Sequence, residues 1–228
     1  MLPATDLQDN IFYRLILYGY SFMLCNVYFF LFCIPVSLLF LLFHNDVSNI
    51  LTWVILFVAS IPIGPALTAS FSVMGKLVRE KQVEVTKTFF QSWKLNFTQS
   101  ALFFSTQCIL ITILIIDIVF LKQHPVSDYI SPLLYLLLIL NILVALYLYP
   151  LISHFSITNK SALKLSIWCS FTKLKTTILL LALLGLTFLI LYYIPKLPLY
   201  FLTGPFCFAV MFIVNNLFQE IETMFLKS

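Results

Sequence analysis

Charged residues are scarce in this 228-residue chain: they make up 10% of it, whereas hydrophobic residues make up 61%. A soluble globular domain carries about 25% charged residues, so the composition excludes a soluble domain over nearly all of the length. The mean hydropathy of +1.03 is typical of a chain that lies mostly in lipid. The net charge of +4 therefore bears on membrane topology and does not indicate nucleic-acid binding.

Recognisable catalytic and cofactor motifs are also missing. There is no HExxH or GxSxG pattern, and Gly75-Lys76 lacks the upstream glycine and the following hydroxyl residue of a phosphate-binding loop. The five cysteines form no CxxC pair, so we interpret them as small apolar residues rather than as metal ligands or disulfides. Glu220 and Glu222, the one close pair of carboxylates, are interpreted as a solvated end. We predict a protein without enzymatic activity, cofactor or metal.

The sequence has instead six apolar runs, each near or above the ~20 residues that a helix needs to cross a bilayer. They occupy residues 15–43, 50–74, 98–121, 132–155, 176–194 and 199–218. Helices are required because an open strand would leave backbone groups unpaired in lipid. The predicted fold class is an all-α, polytopic transmembrane helix bundle of about six spans, with residues 1–228 as a single membrane domain.

Basic residues divide unevenly between the two sides that these spans define. Of the 13 Lys and Arg residues, all but Lys122 and Lys196 fall on one side. Cytoplasmic loops carry the excess of basic residues, so we predict a multi-pass protein of the inner (plasma) membrane with both termini in the cytoplasm. Spans five and six are joined only by the turn PKLP at 195–198, so a re-entrant pair in place of two full crossings stays open.

Each of the two basic loops carries an aromatic, amphipathic segment. In residues 83–97 the aromatic side chains fall on one helical face, and in the second loop an apolar stripe around Trp168 is interleaved with lysines. We predict two cytoplasmic amphipathic interfacial helices that lie along the inner leaflet, each with one Trp at the headgroup level. The candidate inner-leaflet contacts are Phe89, Phe90, Trp93, Lys94, Asn96, Phe97, Trp168, Lys173 and Lys175.

Span two concentrates small and helix-bending residues. The candidates for helix packing or for a partner surface are Ser60, Gly64, Pro65, Ala66, Ala69 and Ser70. Small residues let helices approach closely in lipid, which predicts a packing helix at the centre of the bundle. The alternative is a helix broken at Pro62 and Pro65 whose freed carbonyls line a site, as in transporters.

Few polar side chains interrupt the apolar runs, and the candidates among them are Asn26, Asp117 and Asn141. An ionisable group inside the membrane is a functional candidate by default. However, Asp117 and His154 are predicted to lie near opposite membrane faces, so they cannot form one proton relay without intermediate groups. We expect Asp117 to be interfacial or interhelical, His154 to lie at headgroup level, and the asparagines to bridge helices.

The order of several of these features resembles a known family. Asn26 is followed by Gly64-Pro65-Ala66 with Ala69, then by KLVRE at 76–80, and then by FFQSWKLNF at 89–97. This succession resembles the YesL-like family of bacterial integral membrane proteins, a domain of unknown function, over roughly residues 10 to 110.

The resemblance implies a Gram-positive, carbohydrate-utilisation context, because members of this family tend to be encoded beside sugar ABC importers. It implies a non-catalytic auxiliary subunit that docks laterally on the permease of an oligosaccharide ABC importer. The expected partners are membrane lipids, permease subunits and possibly the ATPase, and no nucleic acid. One alternative is a stand-alone transporter or channel that uses Asn26, Gln107 and Asn141 as a polar pathway. Another is an intramembrane enzyme acting on lipids, for which His154 is the only evidence.

Overall fold

The computed structural model describes residues 11–43, 49–121, 127–193 and 199–225, and every regular element in these ranges is a helix. The helices are α1 (Ile11–Phe43), α2 (Ile50–Ser60), α3 (Ile63–Glu80), α4 (Val85–Leu121), α5 (Ser127–His154), α6 (Asn159–Thr172), α7 (Leu174–Tyr193) and α8 (Leu199–Phe225). The spans long and apolar enough to cross a membrane are Arg14–Phe43, Ile50–Glu80, Val85–Leu121, Tyr129–His154, Leu174–Tyr193 and Phe201–Thr223. The predicted fold class is therefore confirmed.

Several sequence predictions fall on residues that the structure does not describe. These are the turn at 195–198, the last residue of predicted span five, and Lys122, Lys196 and Lys227. The structure therefore does not test the choice between a re-entrant pair and two full crossings at this turn.

The second span is interrupted between α2 and α3, at Ile61 and Pro62. Pro62 and Pro65 have no N–H, so the carbonyls four residues earlier lose their usual donors. The Val58 carbonyl instead accepts from the Ile61 N–H at 3.3 Å, and the Ile61 carbonyl accepts from the Gly64 N–H at 3.3 Å. Both carbonyls are thus bonded within the span, which argues against the interpretation that they line a site.

The third span is longer than predicted, because α4 is one continuous helix of 37 residues. At 1.5 Å per residue it is about 55 Å long, well beyond the ~30 Å of a hydrocarbon core. Residues 85–97 are its first turns, so the prediction of a separate helix along the membrane surface is wrong here. The physical reason is that residues 85–121 contain neither glycine nor proline to end the helix.

The second basic loop does form a separate helix, α6. Its inward face consists of small buried residues, namely Ala162, Ser166, Cys169 and Ser170. Its outward face exposes the predicted stripe of large apolar side chains, Leu163, Ile167, Trp168 and Phe171. This division suits a helix that is packed on the bundle through one side and presents the other to an apolar environment.

Helix α3 lies at the centre of the bundle and contacts α1, α4, α5 and α8. A Cβ placed on Gly64 would lie 2.5 Å from the Phe104 Cβ and 2.9 Å from the Ser100 carbonyl oxygen, both on α4. The two backbones thus approach as closely as a glycine allows. Ala66 and Ala69 are completely buried beside it. Helix α3 thus has the close contacts and the central position that the packing interpretation of span two predicts.

Candidate functional site

The ends of α3, α5 and α8 meet α6 and the first turns of α4 at one end of the bundle, which we call the basic end. Arg79, His154 and Glu222 join three helices there: Arg79 Nη1 lies 2.6 Å from His154 Nδ1, and His154 Nε2 lies 2.8 Å from Glu222 Oε1. A guanidinium can only donate, so Nδ1 accepts and the Nε2–H donates to the carboxylate. Both ring nitrogens are occupied, which leaves neither free to act as a general base. The arrangement stabilises the end of the bundle.

An ion pair joins Lys173, at the junction of α6 and α7, to Glu220 on α8. Glu220 and Glu222 are exposed, as the interpretation of a solvated end requires, but each carboxylate is also paired with a side chain from another part of the bundle. The reason is that α8 extends over 27 residues, so its last turns run alongside the ends of its neighbours. Nothing in the local sequence around these glutamates indicates those partners.

An aromatic cluster at the basic end accounts for part of the predicted inner-leaflet surface. Phe89 is completely buried, and its ring centroid lies 5.4 Å from that of Tyr28 on α1. Trp93 stacks on Phe32 with a centroid distance of 5.1 Å. The Tyr28 hydroxyl lies 2.7 Å from Thr86 Oγ1. These aromatic side chains thus pack the start of α4 against α1. Phe89 is buried in this contact and does not face lipid.

The other predicted inner-leaflet residues divide between surface and packing positions. Phe90, Lys94, Trp168 and Lys175 are exposed, whereas Phe97 is half-buried against Trp93, Asn96 donates to Ser92 Oγ at 3.2 Å, and Lys173 is ion-paired. The exposed group is therefore confined to α6, the start of α7 and one side of α4.

A polar cleft opens at the basic end between α3, the first turns of α4 and the end of α5. It consists of two adjoining cavities of about 440 and 250 Å³ that share Lys76, Thr88 and Gln91 in their walls. The larger cavity also contains Glu80 and Glu84. The sequence does not indicate this cleft, since its walls come from four helices, with Leu17 of α1 in the wall of the larger cavity.

The predicted small residues of span two lie mainly inside the chain. Gly64, Pro65, Ala66, Ala69 and Ser70 are buried, and half-buried Ser60 donates its hydroxyl to the Phe57 carbonyl at 2.7 Å. The buried members pack on neighbouring helices of the same chain and cannot form a surface for a partner. The proposed partner surface on this flank is therefore wrong.

Asn26 bridges α1 and α8 in the apolar core. Its Nδ2 donates to the Phe201 carbonyl at 2.7 Å, and its Oδ1 accepts from the Gly204 N–H at 2.7 Å. The Phe201 carbonyl is the one left without its helical donor by Pro205. A Cβ on Gly204 would lie 3.1 Å from the Phe22 carbonyl oxygen, so glycine permits the close contact. The asparagine thus replaces a missing backbone bond.

Other polar side chains within the spans also pair with one another. Tyr149 donates its hydroxyl to Gln107 Oε1 at 2.6 Å, Thr68 Oγ1 lies 2.8 Å from Ser100 Oγ, and Tyr147 lies 2.9 Å from Thr177 Oγ1. Each pair joins two helices, as interhelical hydrogen bonds do in lipid. Gln107 is therefore engaged in packing and does not face an open polar pathway.

Asn141 and Asp117 differ from these paired groups. The Asn141 Nδ2 is buried and has no hydrogen-bond partner among the residues that the structure describes. Asp117 is exposed on α4, one turn before the helix ends at Leu121, and forms no ion pair within the described ranges. Around it at helical spacing lie exposed apolar side chains, Leu110, Ile113, Ile116 and Phe120. We call this surface the Asp117 flank.

The next features are the possible metal ligands and the cysteines in the described part of the chain. It contains no group of three His, Cys, Asp or Glu side chains able to hold a metal ion. All five cysteines are free thiols. On α6, burial raises the pKa of the Cys169 thiol to about 11, so this thiol stays protonated at neutral pH.

Comparisons with known proteins place the chain next to uncharacterised relatives. Residues 22–118 match the family model described as a protein of unknown function, DUF624. The chain is 28% identical over 162 residues to the uncharacterized protein YteU of Bacillus subtilis (strain 168), which covers 69% of this chain and 72% of YteU. No solved structure matches it. The resemblance predicted from the sequence is confirmed: residues 22–118 match the DUF624 model, and this match together with the similarity to YteU is consistent with a YesL-like DUF624 protein.

Proposed function

We propose that this protein is a non-catalytic accessory subunit that docks laterally on the membrane-embedded permease of a carbohydrate ABC importer. The family resemblance supplies the class of partner, since YesL-like proteins tend to be encoded beside such importers. The Asp117 flank supplies a surface on which docking could occur.

The observation that carries the proposal is the exposure of Asp117. Ionisable side chains in a membrane span are rare, and they usually face the bundle interior or pair with one another. Asp117 instead faces outward, within an apolar surface formed by Ile113, Ile116 and Phe120. A partner helix that offers a cationic or hydrogen-bonding group would satisfy the carboxylate, and its apolar side chains would pack on the isoleucines.

The bonding of polar groups in the spans favours an accessory role over a transport pathway. Asn26 and Gln107, two of the three residues that a pathway would use, are engaged in hydrogen bonds between helices. The third, Asn141, is one isolated amide. Such a distribution supports a packed bundle that acts through its outer surface.

The test is affinity purification of the tagged protein in mild detergent from its native host, followed by identification of the recovered proteins. We expect sugar-importer permease subunits with the wild type and a several-fold lower recovery with Asp117→Ala. The matched control is Thr106→Ala, because Thr106 is also exposed on α4 but bonds only to the Leu102 carbonyl of its own helix.

A deletion strain provides the functional readout. We expect uptake of the imported sugar to fall on deletion and to be restored by the wild type and by Thr106→Ala, but not by Asp117→Ala. Recovery of the protein without permease subunits, together with unchanged uptake in the deletion strain, would overturn the proposal. Solute flux in proteoliposomes of the protein alone, abolished by Asn141→Leu, would favour a transporter instead.

A further inference from the structure

The polar cleft at the basic end has the composition of a binding site. The wall of its smaller cavity, of about 250 Å³, carries one full positive charge, Lys76, and no carboxylate. Hydroxyl and amide side chains make up much of the rest: Ser72, Thr88, Gln91, Ser92, Asn96, Ser153 and Ser156. A single cation among neutral hydrogen-bonding groups suits an anionic group such as a phosphate.

Lys76 differs from the other basic side chains that lie near it. Arg79 is bonded to His154, and Lys87 pairs with Glu84 at 3.4 Å. Lys76 is half-buried, yet within the described ranges it forms no ion pair. The side chains of Ser72, Thr88 and Gln91 likewise form no hydrogen bond there, and Thr88 is buried. These groups are free to bind a ligand together.

The larger cavity extends this surface towards groups of a different kind. Its wall includes Glu80, Gln82 and Glu84 besides the shared Lys76. Lys87 also lies in this wall, but its charge is paired with Glu84. Carboxylate and amide oxygens accept hydrogen bonds from hydroxyls but repel a second negative charge. A ligand that spans both cavities would therefore place an anionic group at Lys76 and a neutral, hydroxyl-bearing group beside the glutamates.

An apolar track leads from the cleft along α4. Leu95 belongs to the cleft wall and is 75% exposed. Leu102 and Ile109 follow at intervals of seven residues, which is two helical turns, and both are exposed. The track runs from the basic end into the apolar part of the span, in the direction that an acyl chain takes from its headgroup.

We propose that the cleft binds the phosphodiester headgroup of one anionic phospholipid, with the phosphate at Lys76, a hydroxylated headgroup towards Glu80 and an acyl chain along Leu95. The inference is independent of the proposed permease partner, because Lys76 and Asp117 lie near opposite ends of the spans. Phosphatidylglycerol is the probe with the required chemistry.

The experiment is native mass spectrometry of the delipidated full-length protein in detergent, titrated separately with phosphatidylglycerol, phosphatidylcholine and glycerol 3-phosphate. We expect one saturable phosphatidylglycerol adduct, with at least fivefold weaker binding of phosphatidylcholine and no binding of the soluble ester at the same concentration. Lys76→Gln should weaken phosphatidylglycerol binding at least fivefold. The matched control is Lys94→Gln, since Lys94 is an exposed lysine on α4 outside the cleft wall.

A second variant, Gln91→Ala, removes an exposed member of both cavity walls and should weaken the same adduct even if Lys76→Gln does not fold. Equal phosphatidylglycerol binding by the Lys76, Gln91 and Lys94 variants would overturn the proposal. So would phosphatidylcholine binding as tight as that of phosphatidylglycerol. Lys76-dependent binding of glycerol 3-phosphate without binding of phosphatidylglycerol would overturn the lipid as the source of the phosphate.

Discussion

Asn26, on α1, forms hydrogen bonds with backbone groups of α8 next to Pro205. Pro205 deprives the Phe201 carbonyl of its helical donor, and an unpaired backbone group in an apolar core costs about 1–3 kcal/mol. The Asn26 amide donates to that carbonyl and also accepts from the Gly204 N–H. A single side chain thus satisfies two backbone groups beside the proline of a neighbouring helix.

Replacement of this amide should destabilise the protein. We expect Asn26→Leu to lower the free energy of unfolding by about 2 kcal/mol, because it removes two interhelical hydrogen bonds and leaves the Phe201 carbonyl unpaired. Reversible unfolding by SDS titration in mixed micelles would measure the change.

The control for this prediction is the same substitution at Asn141. Its Nδ2 is buried without a partner in the described part of the chain, so Asn141→Leu should be neutral or stabilising. A loss of stability at Asn141 as large as that at Asn26 would contradict the role assigned to the bridge.

At the scale of residues, the sequence indicates what kind of contact a polar side chain makes, but it does not indicate which residues are its partners. An asparagine in an apolar run predicts an interhelical bridge, and Asn26 is one. Its partners lie 175 and 178 residues away, so no pattern near Asn26 indicates them. The same holds for His154. Its position near the end of a span was predictable from the sequence, but its contacts with Arg79 and Glu222 were not.

At the scale of elements, small residues set how closely α3 approaches its neighbours. Gly64 lies against the Ser100 carbonyl and the Phe104 side chain, and the Thr68–Ser100 hydroxyl pair lies one turn further along the same contact. A close approach of this kind replaces the hydrophobic driving force that lipid does not provide between helices. A larger side chain in the contact between α3 and α4 should therefore destabilise the bundle more than one elsewhere.

We expect Gly64→Ala to destabilise the bundle by about 1–3 kcal/mol, because the new Cβ would lie 2.5 Å from Phe104 Cβ and 2.9 Å from a backbone oxygen. Gly185→Ala is the matched control on α7, where nothing lies within 4 Å of an added Cβ. There the better helix propensity of alanine should raise stability by up to about 1 kcal/mol. Thermal unfolding in detergent would compare the two, and equal effects would refute close packing at Gly64.

Boundaries of the elements were predictable only where the chain contains a residue that stops a helix. In span two the interruption lies at Ile61 and Pro62, so Pro62 marks the break that one interpretation of this span offered, whereas Pro65 lies within α3. In contrast, the amphipathic pattern of residues 83–97 could not distinguish a surface helix from the first turns of a longer one, because aromatic side chains suit lipid and a neighbouring helix alike. Phe89 and Trp93 pack on α1, and this tertiary contact makes residues 85–97 the first turns of α4 instead of a separate surface helix.

At the scale of the whole molecule, the two ends of the bundle differ in character. The basic end carries α6, the polar cleft, the Lys173–Glu220 ion pair and the hydrogen bond from His154 to Glu222. The start of α5 at the opposite end presents exposed aromatic and apolar side chains such as Tyr129 and Leu133. Because cytoplasmic loops carry the excess of Lys and Arg, the basic end is predicted to face the cytoplasm.

This orientation can be measured with two single cysteines in a cysteine-free background. Gln82→Cys lies on the exposed turn between α3 and α4 at the basic end, and Tyr129→Cys lies at the opposite end, where Tyr129 is 85% exposed. We expect a membrane-impermeant maleimide to label Tyr129→Cys on intact cells and Gln82→Cys only after permeabilisation. The reverse pattern would invert the predicted topology, and it would place the polar cleft in the outer leaflet and the Asp117 flank near the inner one.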